Sequence, residues 1–152
     1  MSGKGSLPAP AGYSGRALPE KLGYKAGQHV LFIALPEGLS VLASAAPFAA
    51  VTRKARWSAA LPARRFDLIH AFTTEKADLD THLVALQNAL KPNGTIWVSW
   101  PKKAAKVVTD VTEDRVREAA LELDLVDVKV AAVDAVWSGL KLVIRKERRA
   151  KA

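Results

Sequence analysis

The apolar positions of this chain fall into short unbroken runs and one spaced stripe. Val30-Leu31-Phe32-Ile33-Ala34, opened by His29 and ended before Pro36, is a continuous apolar run of strand length. Such a run suits a central strand buried on both faces. Phe66-Asp67-Leu68-Ile69-His70-Ala71-Phe72 reads the same way, and Thr95-Ile96-Trp97-Val98-Ser99-Trp100, closed by Pro101, is a β-branched and aromatic strand. Between them Leu79, Leu83, Leu86 and Leu90 recur at three- and four-residue steps. That spacing puts one apolar stripe on a helix, which Thr73 or Thr74 is expected to cap and Lys91-Pro92-Asn93-Gly94 to stop and turn.

Weaker signals fill the gaps. Gly38 to Ala46 suits a short helix, and Ala49 to Arg56 a second strand centred on Val51 and Thr52. Asp110 or Thr112 is placed to begin another helix, with Glu113 and Asp114 in its positive first turn and Val116, Ala119, Ala120 and Leu123 on its inner face. Val126 to Val136 and Leu140 to Ile144 read as strands joined by a tight hairpin at Trp137-Ser138-Gly139, where Gly139 would supply a positive φ. Strands that alternate with helices and then close in a hairpin predict a three-layer, Rossmann-like α/β fold with a mostly parallel sheet. There is no internal repeat.

Length and composition set the outer bounds. A chain of 152 residues, 49% apolar and 25% charged, has the size and balance of one globular domain. We expect a disordered, Gly- and Pro-rich leader over 1–12, an α/β domain over 13–146 and a basic tail over 147–152. The chain has no cysteine, which excludes disulfides, thiolate metal sites and cysteine nucleophiles. Met1-Ser2-Gly3-Lys4-Gly5 leads into no apolar run, so the pattern of a signal peptide is missing. Pro36, Glu37, Gly38 and Pro47 break the one stretch that approaches membrane-spanning length. The expected location is the cytoplasm, away from membranes.

The net charge is +8. It favours polyanions at long range. Its carriers are dispersed: Arg53, Lys54 and Arg56; Arg64 and Arg65; Lys102, Lys103 and Lys106; and Arg145, Lys146, Arg148, Arg149 and Lys151.

The run from Phe66 to Trp100, with Leu90-Lys91-Pro92-Asn93-Gly94 between helix and strand, resembles the second half of the class I S-adenosylmethionine-dependent methyltransferase fold, and the closing hairpin fits it too. In that family the first strand leads into a glycine-rich loop that lets the backbone approach the cofactor, and an acid after the second strand binds the ribose hydroxyls. Here the loop is Ala34-Leu35-Pro36-Glu37-Gly38, in which Pro36 lacks an amide donor, and the second position offers Arg53, Lys54 and Arg56. The resemblance therefore implies the fold without the cofactor, and neither S-adenosylmethionine nor any other cofactor is expected. Gly12-Tyr13-Ser14-Gly15, Lys21-Leu22-Gly23, Pro36-Glu37-Gly38, Trp100-Pro101-Lys102-Lys103, Thr109-Asp110-Val111-Thr112 and Trp137-Ser138-Gly139-Leu140 are similar to the recurring words of a bacterial family of small proteins with a domain of unknown function. That likeness implies a bacterial origin and carries no activity.

Ligands of open α/β sheets bind at the carboxyl ends of the parallel strands, which selects the loops after Ala34, after Phe72 and after Trp100. The loop after Trp100 is the richest there: Trp100 offers a stacking platform, Lys102, Lys103 and Lys106 attract an anion, and Asp110, Trp137 and Ser138 complete the candidate set. Asp110 doubles as a helix cap, and Trp100 packing against Trp137 is the plain structural alternative. His82 sits at helical spacing from Leu79 and Leu86 and reads as a packing residue. With His29 and His70 elsewhere it forms no metal motif. Neither Gly12-Tyr13-Ser14-Gly15 nor Trp137-Ser138-Gly139 is a Gly-x-Ser-x-Gly nucleophile elbow. The first instead suits docking of Tyr13.

Three functions remain open on these residues. One is a non-methylating or degenerate relative of the methyltransferases that binds a small anion or a macromolecular partner at the Trp100 to Lys106 edge. Another is an enzyme with a non-standard nucleotide site, whose phosphate would meet Arg53 or Arg56. A third is a weak nucleic-acid binder that uses the basic charge.

Overall fold

Six strands form one sheet in the order β2-β1-β3-β4-β6-β5. The computed structural model describes residues 17–149. The expected leader, the Tyr13 word and the last residues of the tail lie outside them. The strands are β1 (His29–Ile33), β2 (Ala50–Lys54), β3 (Phe66–Phe72), β4 (Leu90–Pro101), β5 (Leu125–Ala132) and β6 (Trp137–Ile144). The helices are α1 (Leu18–Lys21), α2 (Lys76–Ala89) and α3 (Glu113–Leu121). β1 pairs in parallel with β2 and β3, and β3 with β4, while β6 runs antiparallel to both β4 and β5. This is the expected mostly parallel α/β sheet with an antiparallel carboxyl-terminal hairpin.

Side-chain alternation along each strand feeds two cores. On one face Leu31, Ile33, Ile69, Ile96, Val98 and Trp100 pack under Leu79, Leu83 and Leu86 of α2 and Val116 and Ala120 of α3. On the other, Val30, Phe32, Leu68, Phe72 and Trp97 meet Leu18, Leu22, Tyr24, Leu39 and Leu42. The leucine stripe is thus core. Each fully buried leucine stabilises the fold by about 1.5–3 kcal/mol relative to exposure. The short strand β2 is an outer edge with an exposed pattern, and that explains its weak signal in the sequence. Residues 37–44 form a 3-10 helix broken at Leu39 rather than an α-helix.

Four expectations are corrected. Lys91-Pro92-Asn93-Gly94 is not a turn that precedes the strand. It lies inside β4 as a bulge, since Leu90 pairs with Phe66 and Thr95 already with Leu68. Gly94 is required there, because a Cβ would stand 2.6 Å from Leu90 Cδ1 and 2.9 Å from the Asp67 carbonyl oxygen. The hairpin turn is residues 133–136, where Asp134 Oδ1 accepts from the amides of Val136 (2.8 Å) and Trp137 (2.7 Å). Trp137, Ser138 and Gly139 are the first residues of β6, paired with Pro101, Trp100 and Ser99. Gly139 is buried, and close approach is what requires it: a Cβ would lie 2.9 Å from Ser99 Oγ and 3.2 Å from the Trp97 ring. The N-cap of α2 is Glu75 rather than Thr73 or Thr74, whereas α3 is capped as expected by Thr112, whose side chain accepts from Arg115 N.

No helix among the described residues is long and apolar enough to cross a membrane.

Candidate functional site

The strand order reverses between β1 and β3, since the chain proceeds from β1 outward to β2 and then returns to β3 and β4. At such a switch point the loops leave the sheet in opposite directions and open a crevice. A cavity of about 500 Å³ occupies it. Ala34, after β1, and Thr73 and Thr74, after β3, form its floor; Arg56 and Trp57, after β2, one wall; Glu75, Asp78 and Trp137 the other. Ala34 and Ala55 also line an adjoining cavity of about 470 Å³ with Leu35, Arg53 and Lys54. The two spaces meet across those shared residues.

Local hydrogen bonds fix the walls. Trp57 is 7% exposed, and its indole N–H donates to the Phe72 carbonyl at 2.8 Å, tying the loop after β2 to the end of β3. Phe72 in turn meets Trp137 edge to face at 5.3 Å. Thr73 N donates to the Ser99 carbonyl, while its hydroxyl donates to Asp78 Oδ2 at 2.6 Å and accepts from Glu75 N at 2.9 Å. Thr73 therefore organises the turn into α2. Ala34 has φ 56°, a left-handed conformation rare for a residue with a side chain.

The loop after β4 is strapped to this turn. Thr109 Oγ1 donates to the Thr74 carbonyl at 2.7 Å, and Asp110 Oδ1 accepts from the first amide of α2, Lys76 N, at 2.7 Å. Asp110 does cap a helix, but the helix is α2 and not the one that follows it.

The candidates read from the sequence are dispersed by the fold. Trp100 is 7% exposed in the core under α2 and α3, whereas Trp137 belongs to the opposite face of the sheet, so the two do not pack together. Burial removes Trp100 as a stacking platform. Lys103 begins, and Lys106 ends in a left-handed conformation, a 3-10 turn whose preceding residue is Lys102. Ser138 pairs in the ladder with Trp100 and Ala132. Of the seven candidates, only Trp137 lines the crevice. The loops after Ala34 and Phe72, which the sequence also selected, do line the crevice, although Trp57, Thr73, Glu75 and Asp78 were not singled out in it. The one available signal was polar residues placed directly after a buried strand at a carboxyl end.

Beneath the crevice lies a buried polar chain. Tyr24 OH pairs with His70 Nδ1 at 2.7 Å, and His70 Nε2 with Ser99 Oγ at 2.8 Å. His70 is fully buried and stacks on Phe72 at 4.3 Å. Burial holds its imidazole at a pKa of about 3, against an ordinary 6.5, and pushes the Tyr24 phenol well above its usual value. Both groups are neutral, and together they satisfy each other's polar atoms inside the core. Among the described residues no group of His, Asp or Glu is placed to hold a metal ion.

A family model described as a protein of unknown function, DUF3052, matches residues 67–146. The chain belongs to the DUF3052 family. No curated protein matches the DUF3052 chain. Solved structures similar to it include magnesium protoporphyrin IX methyltransferase from Synechocystis, determined with bound SAM, at 12% identity and a TM-score of 0.60 over 84% of this chain and 74% of that one. A SAM-dependent methyltransferase from Aquifex aeolicus is similar at 16% identity and a TM-score of 0.57, over 82% and 86% of the two chains. At such identities the likeness shows that the DUF3052 chain has a methyltransferase-like fold.

Proposed function

We propose that this chain binds a small phosphorylated ligand, a nucleotide in the first instance, in the switch-point crevice and does not transfer methyl groups. The observation that carries this reading is the cationic run Arg53, Lys54 and Arg56 beside the crevice, at the end of β2. An acid stands at that place in methyltransferases that hold a ribose. Guanidinium groups instead match phosphate oxygens in pairs and keep their charge at any physiological pH. The half-buried ring of Trp137 on the crevice wall suits a planar base, and a crevice of about 500 Å³ falls in the range of small-ligand sites.

S-adenosylmethionine does not suit these residues. Pro36 has no amide to offer, the following segment is a kinked 3-10 helix, and the cationic end of β2 opposes a positively charged sulfonium ligand.

A thermal-shift panel of S-adenosylmethionine, S-adenosylhomocysteine, ATP, ADP and NADP tests this reading. Ligand at about a hundred times its Kd stabilises the fold by about 2.7 kcal/mol, roughly 5–10 °C at this size. The expected result is a shift with the nucleotides that Arg53→Glu/Arg56→Glu abolishes. A shift with the adenosyl sulfur compounds, accompanied by methyl transfer, would overturn it.

A further inference from the structure

We infer that the amino end of the sheet, opposite the crevice, carries a second site: a basic patch that binds the phosphodiester backbone of a nucleic acid. This inference stands apart from the nucleotide reading of the crevice. Two basic clusters that are remote in sequence converge there. Arg64 and Arg148 line one polar cavity of about 160 Å³ together with Gln87, Asn88 and Asp124.

Backbone bonds fix that meeting. Arg64 N donates to the Asn88 carbonyl at 3.0 Å and Arg65 N to the Ala89 carbonyl at 2.8 Å, which sets both arginines against the end of α2. Arg145 N donates to the Asp124 carbonyl at 2.8 Å, which brings residues 145–149 to the same end. Arg64 is held at φ 47°, a left-handed conformation that costs free energy for a residue with a side chain.

Two of the acids at this end are engaged, while Glu147 is exposed between Lys146 and Arg148. Asp67 pairs with Lys91 at 3.3 Å and Asp124 with Arg148 at 3.5 Å. Arg64, Arg65 and Lys146 are exposed, and none of the three has an acidic partner among the described residues. Arg145 spends one N–H on the Leu123 carbonyl, and its Nε is buried with no partner among the described residues. The cavity has no aromatic lining, so it offers no platform for an unstacked base. Binding through phosphates alone positions a duplex without reading its sequence.

Fluorescence anisotropy of the full chain with a labelled mixed-sequence DNA duplex tests the patch. Removal of one side chain that neutralises a phosphate lowers the slope of log affinity against log salt by about 0.9. Arg64→Gln/Arg65→Gln/Lys146→Gln should therefore flatten the slope by about 2.7, so that between about 50 and 200 mM salt the wild type weakens roughly 40-fold more than the variant. Lys102→Gln/Lys103→Gln/Lys106→Gln, which removes three charges from the other end of the sheet, is measured beside it. Equal flattening by both variants would show that net charge and not the patch sets the affinity, and would overturn the proposal. So would the absence of saturable DNA binding at about 50 mM salt, or binding confined to phosphatidylserine vesicles. Should the first variant not melt cooperatively, Arg65→Gln/Lys146→Gln gives the same reading with an expected flattening of about 1.8.

Discussion

His70 makes the stability of this protein depend on pH below neutrality. In the folded chain the imidazole is neutral, sealed between Tyr24, Ser99 and the Phe72 ring, with a pKa of about 3; in the unfolded chain it returns to its ordinary value of 6.5. The unfolded state thus binds a proton that the folded state refuses. Stability is full above pH 6.5, falls as the pH drops below that value, and stops falling through this group once the pH passes about 3. At pH 5 the gap below the unfolded value is about 1.5 units, which at 1.36 kcal/mol per unit is a loss of about 2 kcal/mol, a melting temperature lower by roughly 4–8 °C. The size of that loss at pH 5 hardly depends on where the folded value lies, provided it is well below 5.

The assay is urea unfolding of the wild type and of His70→Gln between pH 8 and pH 5, with the difference between the two curves as the readout. Groups that titrate in both proteins cancel in that difference. His70→Gln will be less stable at pH 8, since Tyr24 and Ser99 lose their shared partner. The wild type alone should show the additional decline of about 2 kcal/mol. Parallel curves, or an imidazole proton signal from His70 that titrates above pH 5, would refute the reasoning.

Other substitutions probe the elements that shape the crevice. Gly139→Ala forces a methyl group to within 2.9 Å of Ser99 Oγ and 3.2 Å of Trp97, and thermal unfolding should register a loss of about 1–3 kcal/mol. Trp57→Phe removes the indole bond to the Phe72 carbonyl at a cost of about 1–2 kcal/mol; hydrogen exchange should quicken over the 55–65 loop and remain unchanged in α3. Asp110→Ala deprives the first amide of α2 of its acceptor, and chemical denaturation should show a loss of about 0.5–2 kcal/mol that Asp110→Asn largely restores.

The short apolar runs by themselves determined the class of fold. A strand buried on both faces leaves little room for polar positions, so β1 shows in the sequence as an unbroken apolar run and β3 and the second half of β4 as mainly apolar ones, and the leucine stripe of α2 shows because one helix face must meet the sheet. The cationic run Arg53, Lys54 and Arg56 was equally plain, since a charge at the end of a strand is legible in the sequence alone. Tertiary structure alone decided the rest. Trp100 and Trp137 lie on opposite faces because the register of β4 against β6 fixes the side to which each residue points, and register is a property of a pair of strands. His70 is sealed and Asp110 caps a helix earlier in the chain because their partners, Tyr24, Ser99 and Lys76, stand far away in sequence. For the same reason the arginines at 64 and 148 meet only when the end of α2 and the end of β6 close on one another.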